Sequence, residues 1–422
     1  MAALPERRWR EQGEGVTAQP GSAGRLKFAV LLAALAMVSP FSIDTFFPSF
    51  HAIAETFSIS GWAVQQTLSA YMLPLSIMSL VQGPLSDAVG RRPVILTGLL
   101  IYTAASIGCA LAPNFTMLLV FRALQGTSAG VGMIVGRAVI RDLFEGPQAQ
   151  KLLSLVTMLF AFAPAVAPVL GGWIHIAWGW RAVFTFMALF GGLLALGTSI
   201  ALPETHPKER RPKLHVGQLA VTAWGIVRHK EFLLLAMAMG TNFAALLSFI
   251  GAAPAVVLDH WHLRETEFAN LFIPIITGLI GGAWISGRMA GLVSHGRQTQ
   301  IGLLLSACGS SLMIALQTLL ASPSLFAQQV SLSLIALGAQ LAGPTLTLRM
   351  LDLFPRSRGS AASVQSCVSI AISTLVFGVL SPILSTSMLT LGSGALCSTL
   401  IALILWRLAQ HVLARSPQPL ST

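Results

Sequence analysis

Two ionisable residues stand inside runs that are otherwise apolar. Asp44 lies in Ser42-Ile43-Asp44-Thr45-Phe46-Phe47-Pro48, and Arg122 lies in a second apolar run. An ionisable side chain in a bilayer is costly, and such residues as a rule face a cavity or a partner. With each run read as a helix rising about 1.5 Å per residue, Asp44 sits roughly 5 Å and Arg122 roughly 10 Å from the same membrane boundary. At matching depth a carboxylate and a guanidinium can pair, and withdrawing the arginine would then favour protonation of the acid. That is the chemistry of a proton switch. Each residue also has a plainer role open to it: Asp44 can cap the outer end of the first helix, and Arg122 can bind backbone carbonyls.

A second group of residues is mechanical. Gly83-Pro-Leu-Ser-Asp87-Ala-Val-Gly90-Arg91-Arg92-Pro93 reads as a short charged hairpin between two apolar spans. Gly83 permits close helix approach and Gly90 a turn with positive φ. Pro93 suits the first turn of the following helix, while Arg91 and Arg92 stay at an anionic membrane surface. Further on, Ala163-Pro164-Ala165-Val166-Ala167-Pro168-Val169-Leu170-Gly171-Gly172 places two prolines and several small residues in one span. This pattern gives a bent, tightly packed helix that either changes shape or is a static kink. Phe41, Phe46, Tyr71 and Met72, with Phe47, are candidates to line a cavity for apolar ligands.

Other chemistries find no support. His260 and His262 flank Trp261 without a third ligand, so they read as interfacial rather than metal-binding. The four cysteines lie in apolar stretches without Cys-x-x-Cys spacing, which gives no disulfide or metal framework. No phosphate-binding loop and no nucleophile with a paired base is visible, so ATP hydrolysis and enzyme catalysis are not expected.

The elements that must position these residues follow from composition. Of 422 residues, 54% are hydrophobic and only 10% charged, where a soluble chain carries about 25% charged residues. The apolar residues collect into twelve spans of bilayer-crossing length, the first near 27–49, the fourth near 115–140 and the seventh near 232–257. With both termini inside, all 26 Lys and Arg except Arg122, Arg181 and Arg264 fall in cytoplasmic loops, tails or helix ends. The net charge of +11 therefore belongs to the membrane surface, and no nucleic-acid partner is expected. The order is a cytoplasmic tail over 1–26, a six-helix bundle over 27–202, a basic linker over 203–231, a second six-helix bundle over 232–409 and a tail over 410–422. The expected fold is an all-α membrane protein of twelve transmembrane helices in two pseudo-symmetric bundles. Two such halves rocking about a central site are what alternating access requires.

The Gly83–Pro93 stretch resembles the signature between helices two and three of the major facilitator superfamily. Ile43-Asp44-Thr45-Phe46-Phe47-Pro48 is similar to a first-helix motif of its bicyclomycin-resistance (Bcr/CflA) branch of drug–proton antiporters. So are Arg122-Ala-Leu-Gln-Gly126 followed by Arg137-Ala-Val-Ile-Arg-Asp142, the proline-rich run of span five, Gly179-Trp-Arg-Ala-Val-Phe184, and Leu202-Pro-Glu-Thr205. The resemblance implies that Asp44 and Arg122 couple protons, that span five is the antiporter helix, and that Asp87 locks a cytoplasmic gate against the start of helix eleven near Arg358–Ser360. Ala88 departs from the family pattern, where Arg or Lys is usual. Phe46 replaces a tyrosine, and Ser154, Ala163 and Ala167 replace glycines. The implied activity is multidrug efflux by proton antiport across a bacterial inner membrane. It would be performed by a monomer acting on small amphipathic drugs or metabolites, with protons and the lipid bilayer as its other partners. No cofactor is implied beyond the proton gradient. The same fold also suits an uptake carrier or uniporter for a small metabolite.

Overall fold

The computed structural model describes residues 22–144, 146–212, 215–355 and 357–415. The tails expected at 1–26 and 410–422 fall largely outside these residues. Every regular element is helical among the described residues, as lipid demands: only helices or closed barrels satisfy every backbone N–H and C=O without water. Eleven helices are long and apolar enough to cross a membrane. A further helix of 33 residues carries a shorter apolar stretch, Phe162–Trp178. The protein is a multi-pass membrane protein.

The first half comprises α1 (Ser22–Asp44), a 3₁₀ turn (Phe47–Ser49), α2 (Phe50–Phe57), α3 (Gly61–Val89), α4 (Arg91–Ala110), α5 (Phe115–Ala129), α6 (Val131–Leu143), α7 (Gly146–Trp178) and α8 (Trp180–Ala201). Next comes α9 (Val216–Arg228), inside the stretch expected as a basic linker. The second half holds α10 (Lys230–Gly251), a π-helical segment (Ala255–His260), α11 (Ala269–Met289), α12 (His295–Leu319), α13 (Leu325–Asp352), α14 (Arg358–Leu375), a second π segment (Val376–Leu380), α15 (Ser381–Leu384) and α16 (Met388–Arg415). Helices of each half pack chiefly on one another, and the halves meet along α3–α14 and α7–α11.

Two sequence expectations need correction. The first span is not one helix to residue 49: α1 stops at Asp44. Pro48 has no N–H for the helix ladder and its ring would crowd the carbonyl four residues back, so the chain tightens into the 3₁₀ turn instead. Nor is Gly83–Pro93 an eleven-residue hairpin. Helix α3 continues through Gly83, Pro84 and Asp87 to Val89, and Gly90 alone makes the turn at φ 116° before α4 begins at Arg91. A Cβ added at Gly83 would meet nothing within 4 Å, so no close approach needs that glycine. Pro164 and Pro168 both stand inside α7, which runs as a single element of 33 residues.

Polar caps start the helices where sequence allows. Ser60 accepts from the Ala63 N–H at 3.3 Å and Asn114 from the Met117 N–H at 2.9 Å, each satisfying one orphan donor of a first turn. Leu100, Leu193 and Ile200 lie exposed on the outside, as in a bundle whose solvent is lipid. All four cysteines are free, with Cys109 buried and Cys308 and Cys397 exposed. Trp62, Trp173 and Trp178 are exposed at one end. At the other end Trp224 lies under Arg228 and Trp284 under Arg288, two aromatic belts at the two membrane surfaces. The second end, where Arg91, Arg92, Arg211 and Arg349 also lie, is called the basic end below.

Candidate functional site

Asp44 is the last residue of α1 and is 4% exposed. Its carboxyl group makes no hydrogen bond or ion pair among the described residues. It also sits at the negative pole of its own helix, where an anion is disfavoured. Arg122, on α5, is fully buried, and it does not pair with Asp44. Its Nη1 donates to the Ser42 carbonyl at 3.0 Å and to Gln125 Oε1 at 2.9 Å, and its Nε donates to the Thr67 carbonyl at 3.4 Å. The guanidinium lies 4.5 Å from the Phe46 ring centre and 4.6 Å from that of Tyr71, a desolvated arrangement worth about 2 kcal/mol. Its Nη2 has no hydrogen-bond partner. Of the two roles open from the sequence, Arg122 here takes the carbonyls. It caps the C-terminal end of α1, so the cation and the acid share one helix end without touching.

A connected polar core surrounds the arginine. Gln125 Nε2 donates to Ser106 Oγ at 2.7 Å, and Ser106 Oγ donates to the Tyr102 carbonyl at 2.7 Å. Tyr102 Oη and Ser42 Oγ share a 2.6 Å hydrogen bond. Tyr71 Oη donates to the Ser39 carbonyl at 3.3 Å. These bonds join α1, α3, α4 and α5 around one buried cation. In the sequence Gln125 and Ser42 stand out only as parts of motifs, and Tyr102 and Ser106 not at all. The Arg122-x-x-Gln125 spacing, three residues apart on one helix face, was the readable signal; the two serines carried none.

The aromatic and methionine residues singled out from the sequence are buried in this structure. Phe46 and Tyr71 are fully buried against Arg122, Met72 is 6% exposed, and Phe41 is packed against Ala163 and Ala167. Phe46, Tyr71 and Phe184 surround the Arg122 guanidinium with aromatic rings. The small residues of α7 do act in packing. A Cβ at Gly171 would run into the Thr45 carbonyl, and one at Gly172 into the Glu265 carbonyl of the second half. Pro168 is buried on the same helix and Pro164 is partly buried.

At the basic end, charge is concentrated but local. Arg91 bonds Asp87 and Ser86 through Nη1 and Asp142 Oδ2 through Nε at 3.0 Å, and its backbone N–H donates to Glu204 Oε1 at 3.0 Å. Arg211 reaches Glu204 at 3.2 Å, and Thr205 Oγ1 donates to Asp142 at 3.0 Å. Arg92 donates to the Ser199 carbonyl at 2.7 Å. A Cβ at Gly90 would strike Glu204 and Arg211, so the glycine is required by space as well as by φ. Among the described residues Asp87 makes no ion pair with the start of α14: it pairs with Arg91, and Arg358 pairs with Asp352 at 2.9 Å.

The bonds that cross between the halves lie elsewhere. At the end opposite the basic one, His51 meets Asp259 at 3.4 Å and His175 meets Glu265 at 3.6 Å. Gln66 Nε2 donates to the Gly378 carbonyl at 2.8 Å, inside a π segment, and the Phe47 and Phe272 rings stack at 6.3 Å. At mid-depth Ser76 Oγ donates to the Cys367 carbonyl at 2.9 Å. Among the described residues, no hydrogen bond or ion pair crosses at the basic end. The molecule is thus closed at the far end, around a helix pair whose packing needs glycine.

The family model of the Major Facilitator Superfamily matches residues 32–378. The chain belongs to this superfamily. An uncharacterised superfamily transporter, YdgK of Bacillus subtilis, is 30% identical over 359 residues, covering 85% of this chain and 89% of that protein. A bicyclomycin resistance protein homolog of Haemophilus influenzae is 28% identical over 352 residues, covering 83% and 87%. Among solved structures, a bacterial homolog of the lysosomal transporter Spinster, inward-facing and unoccupied, superposes with a TM-score of 0.69 at 16% identity over 94% of this chain and all of that one. A D-xylose–proton symporter gives 0.66 at 16% identity over 90% and 97%. At such identity these two structures show the shared fold alone. That fold is the all-α, superfamily architecture expected from the sequence.

Proposed function

We propose that this superfamily member exports amphipathic drugs across a bacterial inner membrane in exchange for protons. The observation that carries the reading is the end of α1. A buried acid without a partner lies beside a buried arginine that has carbonyls and aromatic faces but no counter-ion. In the state described, Arg122 holds the Ser42 carbonyl. In the alternative state it turns to the Asp44 carboxylate, and a proton taken up by Asp44 releases it. Such an exchange does work only because the two states bind the proton unequally. The drug-resistance name of the Haemophilus relative supports drugs as the cargo. Both halves lie in one chain, so a site between them is complete in a monomer. The proton gradient is the energy source and no cofactor is required.

The basic end is assigned to the cytoplasm by the positive-inside rule, with both termini there. The bonds that close the far end, outer in this assignment, support reading this conformation as the cytoplasm-facing one of an alternating-access cycle. The test is growth inhibition across a drug panel in an efflux-deficient host. Wild type and Asp44→Asn are compared at matched membrane levels. The expected result is protection by wild type that Asp44→Asn loses. Protection that survives Asp44→Asn would remove Asp44 from coupling, and protection by neither chain would favour an uptake carrier for a small metabolite.

A further inference from the structure

Only two ion pairs join the halves among the described residues, and each consists of one histidine and one carboxylate. His51, on α2, faces Asp259 in the first π segment at 3.4 Å. His175, in the last turn of α7, faces Glu265 in the loop before α11 at 3.6 Å. Both lie at the outer end, and both acids come from the same short stretch of the second half. Histidine is the side chain that changes charge between about pH 5 and pH 8. We propose that these two pairs are a protonation-set clasp: acid on the outer face holds the outer end shut, and neutral or alkaline conditions let it open. The proposal rests on the alternating-access reading above and adds to it a control of the outer gate that does not pass through Asp44.

The geometry gives each pair a distinct part. His51 and Asp259 are each about half exposed and border a hollow of about 260 Å³ between the halves, lined also by Trp62, Gln65 and Ser385. Protons therefore reach this pair from the outer side. His175 is largely buried, and its Nδ1 has no hydrogen-bond partner. A doubly protonated ring would donate from Nε2 to Glu265, whereas the neutral ring offers only a tautomer-dependent hydrogen bond. One turn back, Gly172 packs against the Glu265 carbonyl and Gly171 against the Thr45 carbonyl. Opening the second pair thus moves α7 against the second-half loop at Glu265.

The other charged groups near these pairs do not replace them. Around His51 they are His260, whose Nε2 is engaged with the Ser385 carbonyl at 2.8 Å, and Glu55 on the exposed face of α2. Around His175 they are His262, Arg264 and Glu267 in the same loop, Arg181 at the start of α8, and Asp44 at the end of α1. Glu267 accepts from the Arg264 N–H at 2.8 Å, and Arg181 donates to the Ala112 carbonyl at 3.1 Å. Each histidine gains a charged partner only while the end is closed. Protonation of either ring therefore favours the closed end.

The test reads conformation rather than transport. Spin labels at Met117 and Ser322, both exposed at the outer end, report the distance across it in lipid nanodiscs at pH 5.5 and pH 8. In wild type the open-to-closed ratio is expected to rise about fivefold between the two, the scale of two such ion pairs. In an Asp44→Asn background, which removes the pH dependence of the proton switch itself, part of the rise should persist, and adding His51→Gln/His175→Gln should cut it below about twofold. His51→Lys/His175→Lys, charged throughout, should stay closed at both pH values. If the double glutamine variant does not insert, the exposed His51→Gln alone should still shrink the pH response. A pH-independent wild type, a full response in the histidine variants, or a response abolished by Asp44→Asn would each overturn the proposal. Asp44→Asn losing drug protection while keeping part of this response would leave the clasp and the proton switch as separate devices.

Discussion

The two ends of this transporter invert the usual link between charge and closure. The basic end holds the dense network of Arg91, Asp87, Asp142, Glu204 and Arg211, yet all of it ties the first half to itself and to the stretch after α8. The far end holds two weak histidine pairs, one glutamine bond and a ring stack, and these cross to the second half. A network within one rigid body stabilises that body whichever way it is tilted. A sparse set of bonds between bodies sets the tilt. A gate is therefore better found by asking which body each partner belongs to than by counting charges.

The comparison breaks most sharply where the far end is held by backbone rather than by side chains. Gly171→Leu forces a branched side chain into the Thr45 carbonyl at the end of α1. Overpacking of this kind costs about 1–3 kcal/mol or more when backbone must move. We expect a lower thermal midpoint in detergent and loss of transport, with Gly172→Leu separating α7 from the loop at Glu265 in the same way. Normal activity in both would show that the helix contact is not what the cycle needs.

The basic end should give a different signature. Arg91→Ala leaves Asp87 and Asp142 without the guanidinium they share, and the side chain concerned is only 8% exposed. Removing one partner of a well-buried charged group costs about 3–5 kcal/mol, reduced here because Asp87 is 44% exposed to solvent. The expected result is a clear fall in thermal midpoint, with the outer-end label distances of the surviving folded protein unchanged. A shift in those distances would mean that the network reaches across the halves after all.

A smaller effect is expected at mid-depth. Ser76→Ala removes one hydrogen bond to the Cys367 carbonyl, a bond of the α3–α14 seam. A single such bond is worth about 0.5–1.5 kcal/mol. The change should raise the outward-open population several-fold, read by the same labels, and leave the thermal midpoint within a degree or two. No change in population would confine the closing bonds to the far end.

How much of this was readable beforehand differs by level. Bilayer-length apolar runs made the all-helical, membrane-spanning fold legible, because lipid leaves the backbone few choices. The ionisable pair was legible as residue types, since a charge inside an apolar run must be explained. Its partners were not. Arg122 on α5 reaches Ser42 on α1, Thr67 and Tyr71 on α3 and Phe46 in the turn after α1, and no spacing in one chain encodes that. The clasp histidines were hidden for the opposite reason: His51, His175, Asp259 and Glu265 are ordinary surface residues until the fold places two bodies side by side. Local turn chemistry was half readable. Gly90 is legible as a turn because glycine takes positive φ, but the helix continuing through Gly83 and Pro84 is not, because Gly and Pro together signal a break in water-soluble chains more strongly than in membrane helices.

That misreading yields the mildest prediction and the sharpest contrast between two glycines seven residues apart. Gly83 lies inside α3 with no atom within 4 Å of an added Cβ. Gly90 holds φ 116° with Glu204 and Arg211 filling the space. Alanine is about 1 kcal/mol better than glycine inside a helix. Gly83→Ala should therefore leave the thermal midpoint unchanged or slightly higher and retain transport. Gly90→Ala should lower the midpoint, because it combines a left-handed backbone with a collision against a charged pair. If instead Gly83→Ala abolishes transport in a well-folded protein, that glycine must meet another helix in the outward-open state. The basic end would then carry a cross-half contact in that state alone, and the inversion between the two ends would itself alternate with the cycle.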